Sequence, residues 1–316
     1  MIGVQAKPLR ALLFVLALAL ACSKDSASDA HRSGSPEGPD TIYTVNYPLS
    51  YFARRLAPAD VRVVFPAPGG VDPAFWKPSV DMIADYQRAN LIALNGAGYA
   101  RWTQHTTLPS TRLVVTADRC RASFLRTEQS VQHRHGPEGE HAHGDVAFTT
   151  WLDLRLALCQ ARHLRAAIAK KFPEDDAAAA QRFEALEREL LALDRRLVAL
   201  GKSWGSRPLL ASHPVYQYLA DAYGLTIESL HLEPDQPLTD EDWKTVDALL
   251  QRHPATLMLW EATPLRPTAE GLRARGLDLV LFDPVGNVPE EGDFLSVMDA
   301  NVERLECATK AKACPR

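Results

Sequence analysis

The chain has 316 residues, a formal net charge of -4 and 46% hydrophobic content, which is enough for two domains with cores of their own. A slightly acidic balance excludes the basic footprint a nucleic-acid partner requires.

Lys7 and Arg10 precede the apolar run Ala11 to Ala21, which is too short to stay in a membrane as a spanning helix and suits an export signal. The run ends at Ala19-Leu20-Ala21-Cys22. Small residues followed at once by cysteine resemble a bacterial lipoprotein signal, in which Cys22 is lipidated and becomes the first residue. A plain secretory signal cut near Ala21 is the alternative. Lipid chains tether a protein to a membrane without a spanning segment. Residues 23–40 are rich in Ser, Asp, Gly and Pro, cannot bury enough apolar surface to fold, and read as a flexible tether.

A first α/β lobe is expected over residues 41–172. Its strands are Thr41–Tyr47, Val61–Phe65, Leu91–Leu94 and Thr111–Thr116; its helices are Pro48–Leu56, Val80–Ala89 and Trp151–Phe172. Strands alternating with helices imply a mostly parallel sheet, which holds ligands beyond the carboxyl ends of its strands. Asn95-Gly96-Ala97-Gly98 starts like a dinucleotide loop, but Arg101 stands where the third glycine is needed, so that reading is set aside. Within this lobe, residues 131–144 carry His133, His135, His141 and His143 as two H-x-H pairs, with Glu138 and Glu140 between. Such a segment reads as a mobile loop that collects metal loosely, since imidazole suits zinc, copper and nickel. A solvated loop without a ligand is the plainer alternative.

Residues 173–201 are expected to form a helix that connects two lobes; a surface helix of a single domain is the alternative. Phe183, Leu186, Leu190, Leu193, Leu197 and Leu200 step by three and four along one stripe, so one side is buried. Pro173 and the acidic run Glu174, Asp175, Asp176 suit the first turn, and Gly201 is expected to end the helix in a left-handed conformation. At 1.5 Å per residue the rod is roughly 40 Å long.

The second lobe, residues 202–316, repeats the pattern with strands Pro208–Ala211, Leu225–Leu232, Thr256–Trp260 and Leu277–Phe282. Its helices are Val215–Tyr223, Thr239–Arg252, Thr268–Arg275 and Phe294–Leu305. His213, Glu261 and Asp283 each follow the carboxyl end of a strand. Each also has a structural alternative: His213 and Asp283 as caps of the next helix, Glu261 as a partner of Arg266. The fold class is therefore α/β, two lobes each built on a mostly parallel four-stranded sheet flanked by helices, joined by one long helix. Cys120, Cys159, Cys307 and Cys314 allow three pairings. Cys120–Cys159 with Cys307–Cys314 is favoured, because each pair then stays on one side of the long helix; free thiols are the alternative. Export permits disulfides.

The segments VFPAPGGVDPAFWKPS, LIALNGAGYARW, the His-rich loop before TTWLDL, LLASHPVYQYLADAYGL and LWEATPLRPTAEGLRARGLDLVLFDPVG resemble the zinc and manganese solute-binding proteins of bacterial ABC transporters (the cluster A-I type) from about Thr41 to Cys307. The resemblance implies that His213, in its S-H-x-x-x-x-Y setting, and Asp283, in D-P-x-G, are metal ligands. Two further histidines usual in that family are replaced here by Ala74 and Thr149. Because a closed zinc site takes four ligands, Glu261, a loop histidine or water must complete the set. What the resemblance implies is an exported, lipid-anchored, monomeric receptor that hands a divalent metal, zinc or else manganese, to an ABC permease. The alternative is a degenerate binding protein without a cleft metal, carrying another solute or buffering metal through its loop. No nucleophile elbow, phosphate loop or paired acid–base signature argues for an enzyme.

Overall fold

The computed structural model describes residues 39–126, 132–134, 140–142 and 146–309. The signal segment with Cys22, the tether up to residue 38, His135, His143 and Cys314 lie outside the described residues.

Strands β1 (Thr41–Thr44), β2 (Arg62–Val64), β3 (Leu91–Leu94) and β4 (Leu113–Val115) form a parallel sheet in the order β2-β1-β3-β4. Helix α1 (Tyr47–Leu56) follows β1 and is capped by the Asn46 side chain, which accepts from the Leu49 N–H at 3.0 Å. Helix α2 (Val80–Arg88), capped by Ser79, crosses back to β3. Backbone segments β5 (Gln132–Arg134) and β6 (Glu140–Ala142) pair antiparallel with His133 opposite His141. That part of the His-rich segment, expected as a mobile loop, is instead a short two-stranded ladder, which the alternation of side chains along a strand permits.

Helix α3 (Leu154–Lys171) and a turn of 3₁₀ helix at Pro173–Asp175 lead into α4 (Asp176–Trp204). Of the anticipated stripe, Leu186, Leu190, Leu193, Leu197 and Leu200 are buried and Phe183 is half-buried. α4 packs against α3, α1, α5 (Gln217–Tyr223) and α8 (Phe294–Thr309). It does not end at Gly201. It runs on to Trp204, and Gly205, at φ 65°, terminates it. Gly201 instead lies where α4 meets the backbone of Tyr223 at the end of α5.

The second sheet contains β7 (Pro208–Ala211), β8 (Thr226–Ser229), β9 (Leu257–Trp260) and β10 (Asp278–Leu281), all parallel, in the order β10-β9-β7-β8. Counted within its own lobe this is the same 2-1-3-4 order as the first sheet. Helices α6 (Asp240–Arg252) and α7 (Arg266–Ala274) cover one face, where Leu210, Val246, Leu249, Met258, Trp260 and Leu272 form a compact core. The other core is continuous from Ile42 and Ile92 in the first sheet, through Leu190 and Leu197 of α4, to Leu259 and Phe282 at the second sheet. Continuous packing of this kind makes the two lobes stiff toward each other.

Cys120 and Cys159 are joined by a disulfide across 39 positions, and Cys307 is also disulfide-bonded. Closing a loop of that length restricts the unfolded chain. Replacing both Cys120 and Cys159 by serine is expected to lower stability by about 2 kcal/mol, the low end of the usual range because packing already holds α3. Urea unfolding under non-reducing conditions measures it.

No helix among the described residues is long and apolar enough to cross a membrane.

Candidate metal centre

Both sheets reverse strand order between their first and third strands, and parallel sheets bind ligands at that point. In the first lobe the position is filled by amides. Asn46, after β1, donates from Nδ2 to Asn95 Oδ1 at 3.1 Å, and Gln160 Nε2 donates to the same oxygen at 2.9 Å. All three side chains are buried, so the set holds loops together and leaves no ligand atom for solvent. The positions of the missing histidines are closed in the same way. Ala74 is buried, and Thr149 donates its hydroxyl proton to the Val215 carbonyl at 2.6 Å.

The second lobe is different. Its sheet order places the ends of β10, β9, β7 and β8 side by side, and each end carries a titratable residue: Asp283, Glu261, His213 and Glu233 in that order. His213 follows the central strand β7 and is 4% exposed. Its neighbours are held in place by backbone bonds that extend the ladder. The Ser212 N–H donates to Leu259 O at 2.9 Å, and the Leu232 N–H donates to Ser212 O at 2.9 Å. The second of these fixes the chain next to Glu233. As a result Glu233 Oε1 lies 3.3 Å from His213 Nε2 and Glu261 Oε1 lies 3.2 Å from Nδ1. Ligand atoms of His213, Glu233 and Glu261 all fall within 4.8 Å of one another. The ring of His231 stands edge-on to that of His213 at 6.2 Å between centroids.

Burial alone would lower the pKa of His213. The hydrogen bond that the ring donates to Glu233 and the charges of Glu261, Glu233 and, from the first lobe, Asp72 outweigh it, so the pKa of the imidazole is raised above the ordinary value. A folded-state pKa above the unfolded value adds stability that is complete below about 6.5, the ordinary histidine value, and is lost as pH rises through the folded pKa. The melting temperature of metal-free protein is therefore expected to fall from mildly acidic to mildly alkaline pH, and the fall should shrink in His213→Gln. An equal fall in the variant would refute this assignment.

Asp283 occupies a different setting. Its Oδ1 accepts from the Val285 N–H at 2.6 Å, and its backbone is clamped by Asn301, which accepts from the Asp283 N–H at 3.1 Å and donates to its carbonyl at 2.7 Å. Burial raises the pKa of Asp283, and the Val285 bond and the charge of Arg304 offset only part of that rise. Val285 has φ 57°, a costly conformation for a β-branched residue, and the Asp283 carboxylate holds that turn. The turn also ties the lobes. Trp151 Nε1 donates to Pro284 O at 2.7 Å, the Tyr47 N–H donates to Gly286 O at 3.0 Å, and Asn287 Nδ2 donates to Pro68 O at 2.7 Å.

Sequence reasoning passed over Glu233. Glu233 directly follows the expected strand Leu225–Leu232 and so already met the rule that marked His213, Glu261 and Asp283, a polar residue just past a strand; in the structure β8 stops at Ser229, and Glu233 lies on the segment beyond it. His133 and His141 are backbone partners in the register of the β5–β6 ladder.

An imidazole between two carboxylates can bind a divalent cation, a pattern that fits the comparisons with known proteins. Residues 42–308 match the family model described as zinc-uptake complex component A, periplasmic. A relative, the high-affinity zinc uptake system protein ZnuA of Bacillus subtilis (strain 168), is 23% identical over 327 residues, covering 95% of this chain and 98% of that one. Among solved structures, the metal-dependent lipoprotein YcdH from Bacillus subtilis superposes with TM-score 0.71 at 18% identity, over 86% of this chain and 98% of that one. The Zn(II)-bound ZnuA-like domain of Streptococcus pneumoniae AdcA superposes with TM-score 0.70 at 17% identity, over 86% and 98%. The chain belongs to the family of periplasmic A components of zinc-uptake complexes, whose members are solute-binding receptors and not enzymes.

Proposed function

We propose that the protein is an exported, lipid-anchored receptor that takes a divalent metal, zinc, into the crevice at His213 and delivers it to an ABC permease. Zinc is cargo here, and manganese is the second candidate. The observation that carries this reading is the buried His213 side chain with a carboxylate on each ring nitrogen at 3.2 and 3.3 Å. The relative from Bacillus subtilis is named for high-affinity zinc uptake, and the Streptococcus pneumoniae domain is Zn(II)-bound. The loop histidines His133, His135, His141 and His143 serve as a capture device that feeds the crevice.

A second reading has its own support. Ala74 and Thr149 offer no imidazole, and the Thr149 hydroxyl is spent on Val215, so the scaffold could act as a metal buffer through its loop alone. Calorimetric zinc titration of the chain with all four loop histidines changed to asparagine separates the two. Submicromolar binding that survives supports the receptor; its disappearance supports the buffer.

Anchoring rests on Ala19-Leu20-Ala21-Cys22 and has its own test. Cys22→Ser is expected to move the protein from the membrane fraction to the soluble exported fraction. Unchanged membrane association would argue against lipidation at Cys22.

A further inference from the structure

We infer that this chain has rebuilt its metal site within the second lobe, with His213, Glu233 and Glu261 as the binding set and Asp283 outside it. The inference rests on the receptor reading above and names the residues of that same site.

The first argument is sheet order. β9, β7 and β8 are adjacent, so their ends present Glu261, His213 and Glu233 as neighbours, whereas β10 is separated from β7 by β9. Parallel strands lie about 4.8 Å apart, which puts Asp283 and His213 on strands roughly 10 Å apart. The second argument is spacing. Two ligands bound to one zinc at about 2.0–2.1 Å in tetrahedral geometry stand roughly 3.3 Å apart. The nitrogen–oxygen pairs at His213 are 3.3 and 3.2 Å apart, so a metal fits with little movement of either side chain. The third argument is charge. Two carboxylates and a neutral imidazole balance a divalent ion, and the proton that leaves His213 on binding goes to solvent. The fourth is that the Asp283 carboxylate already holds the strained Val285 turn, and drawing it to a metal would release that turn.

An imidazole gives a metal one nitrogen. The carboxylate beside that nitrogen is the second protein ligand. The carboxylate beside the other nitrogen accepts its N–H and is a positioning residue, fixing tautomer and ring orientation as acidic partners of metal-bound histidines do. Water completes the coordination. One nitrogen among oxygens makes a site harder than an all-histidine one, so divalent first-row ions from manganese to zinc are its ligand class.

The test is zinc and cobalt(II) titration of the chain with its four loop histidines changed to asparagine, in the backgrounds Glu233→Gln, Glu261→Gln and Asp283→Asn. Each glutamate variant is expected to weaken zinc by about 10- to 100-fold, and Asp283→Asn to leave affinity within about twofold, as for an independent site. The visible spectrum of bound cobalt should change in both glutamate variants, and the aspartate forms, Glu233→Asp and Glu261→Asp, should restore part of the affinity, which a merely structural role would not give. Loss of binding in Asp283→Asn with both glutamate variants unaffected overturns the assignment while leaving the receptor reading intact. Failure of the parent chain to bind zinc at all overturns both.

Discussion

Replacing His213 by alanine is expected to weaken zinc binding in the crevice by at least about 100-fold, a loss of roughly 2.8 kcal/mol at 1.4 kcal/mol per factor of ten. Two effects add. The variant removes the nitrogen donor that both glutamates surround, so the ion keeps only carboxylate and water ligands, which suit zinc less well than imidazole does. It also removes the imidazole ring that separates Glu233 from Glu261, leaving two carboxylates to repel each other across a gap sized for a ring. His213→Gln separates the effects, since it refills the gap without restoring a good ligand. It should recover stability and leave affinity low. Calorimetry on the chain lacking the loop histidines provides the readout, because loop binding would otherwise mask the loss. An affinity in His213→Ala within about threefold of the parent, well short of the ligand losses seen at metal sites, would place the zinc elsewhere.

The sequence made the architecture legible because its two periodicities are clean. Leu186, Leu190, Leu193 and Leu197 step at helical spacing, and short β-branched runs such as VRVVF and TRLVVT are separated by turn residues. Local pattern is enough to count strands and helices, and strict alternation of the two implies parallel sheets. Lateral order is not local. Nothing in the residues near Glu233 tells which strand runs beside β8, and only the order β10-β9-β7-β8 shows that Glu233 and Glu261 flank His213 while Asp283 lies one strand further out. Strand ends are the second limit. Leu230 and Leu232 are apolar and buried and look like strand, yet β8 stops at Ser229; beyond it the chain keeps only the bonds from the Leu230 N–H to Ala211 O, at the end of β7, and from the Leu232 N–H to Ser212 O, just past it. The third limit is glycine, whose missing side chain serves either a positive φ or a close approach; sequence alone does not distinguish the two.

Gly201 is the case in point, and Gly201→Ala is expected to destabilise the protein by roughly 3 to 4 kcal/mol, at the upper end of overpacking effects. In an isolated helix the same change would stabilise by about 1 kcal/mol, since alanine is the better helix former, so the sign alone tests the structure. Gly201 sits inside α4, with Trp204 still helical beyond it. A Cβ built on it would meet the Tyr223 carbonyl oxygen at 1.9 Å and its carbon at 3.0 Å. Both are backbone atoms, so no rotamer change relieves the clash. Either α4 or the end of α5 must move by more than an ångström. Neither is free to do so. Tyr223 is buried and its hydroxyl accepts from the Leu154 N–H at 3.1 Å and donates to Asp194 at 3.3 Å, while Asp194 accepts from Arg155 Nε at 3.1 Å. Gly224 follows at φ 66° and turns the chain into β8, so a shift of Tyr223 would be passed to the strand that leads to Glu233. Chemical denaturation measures the stability loss, and zinc affinity measured on the fraction that folds should fall with it. A variant as stable as the parent, or more stable, would mean that α4 and α5 do not meet backbone to backbone at this point.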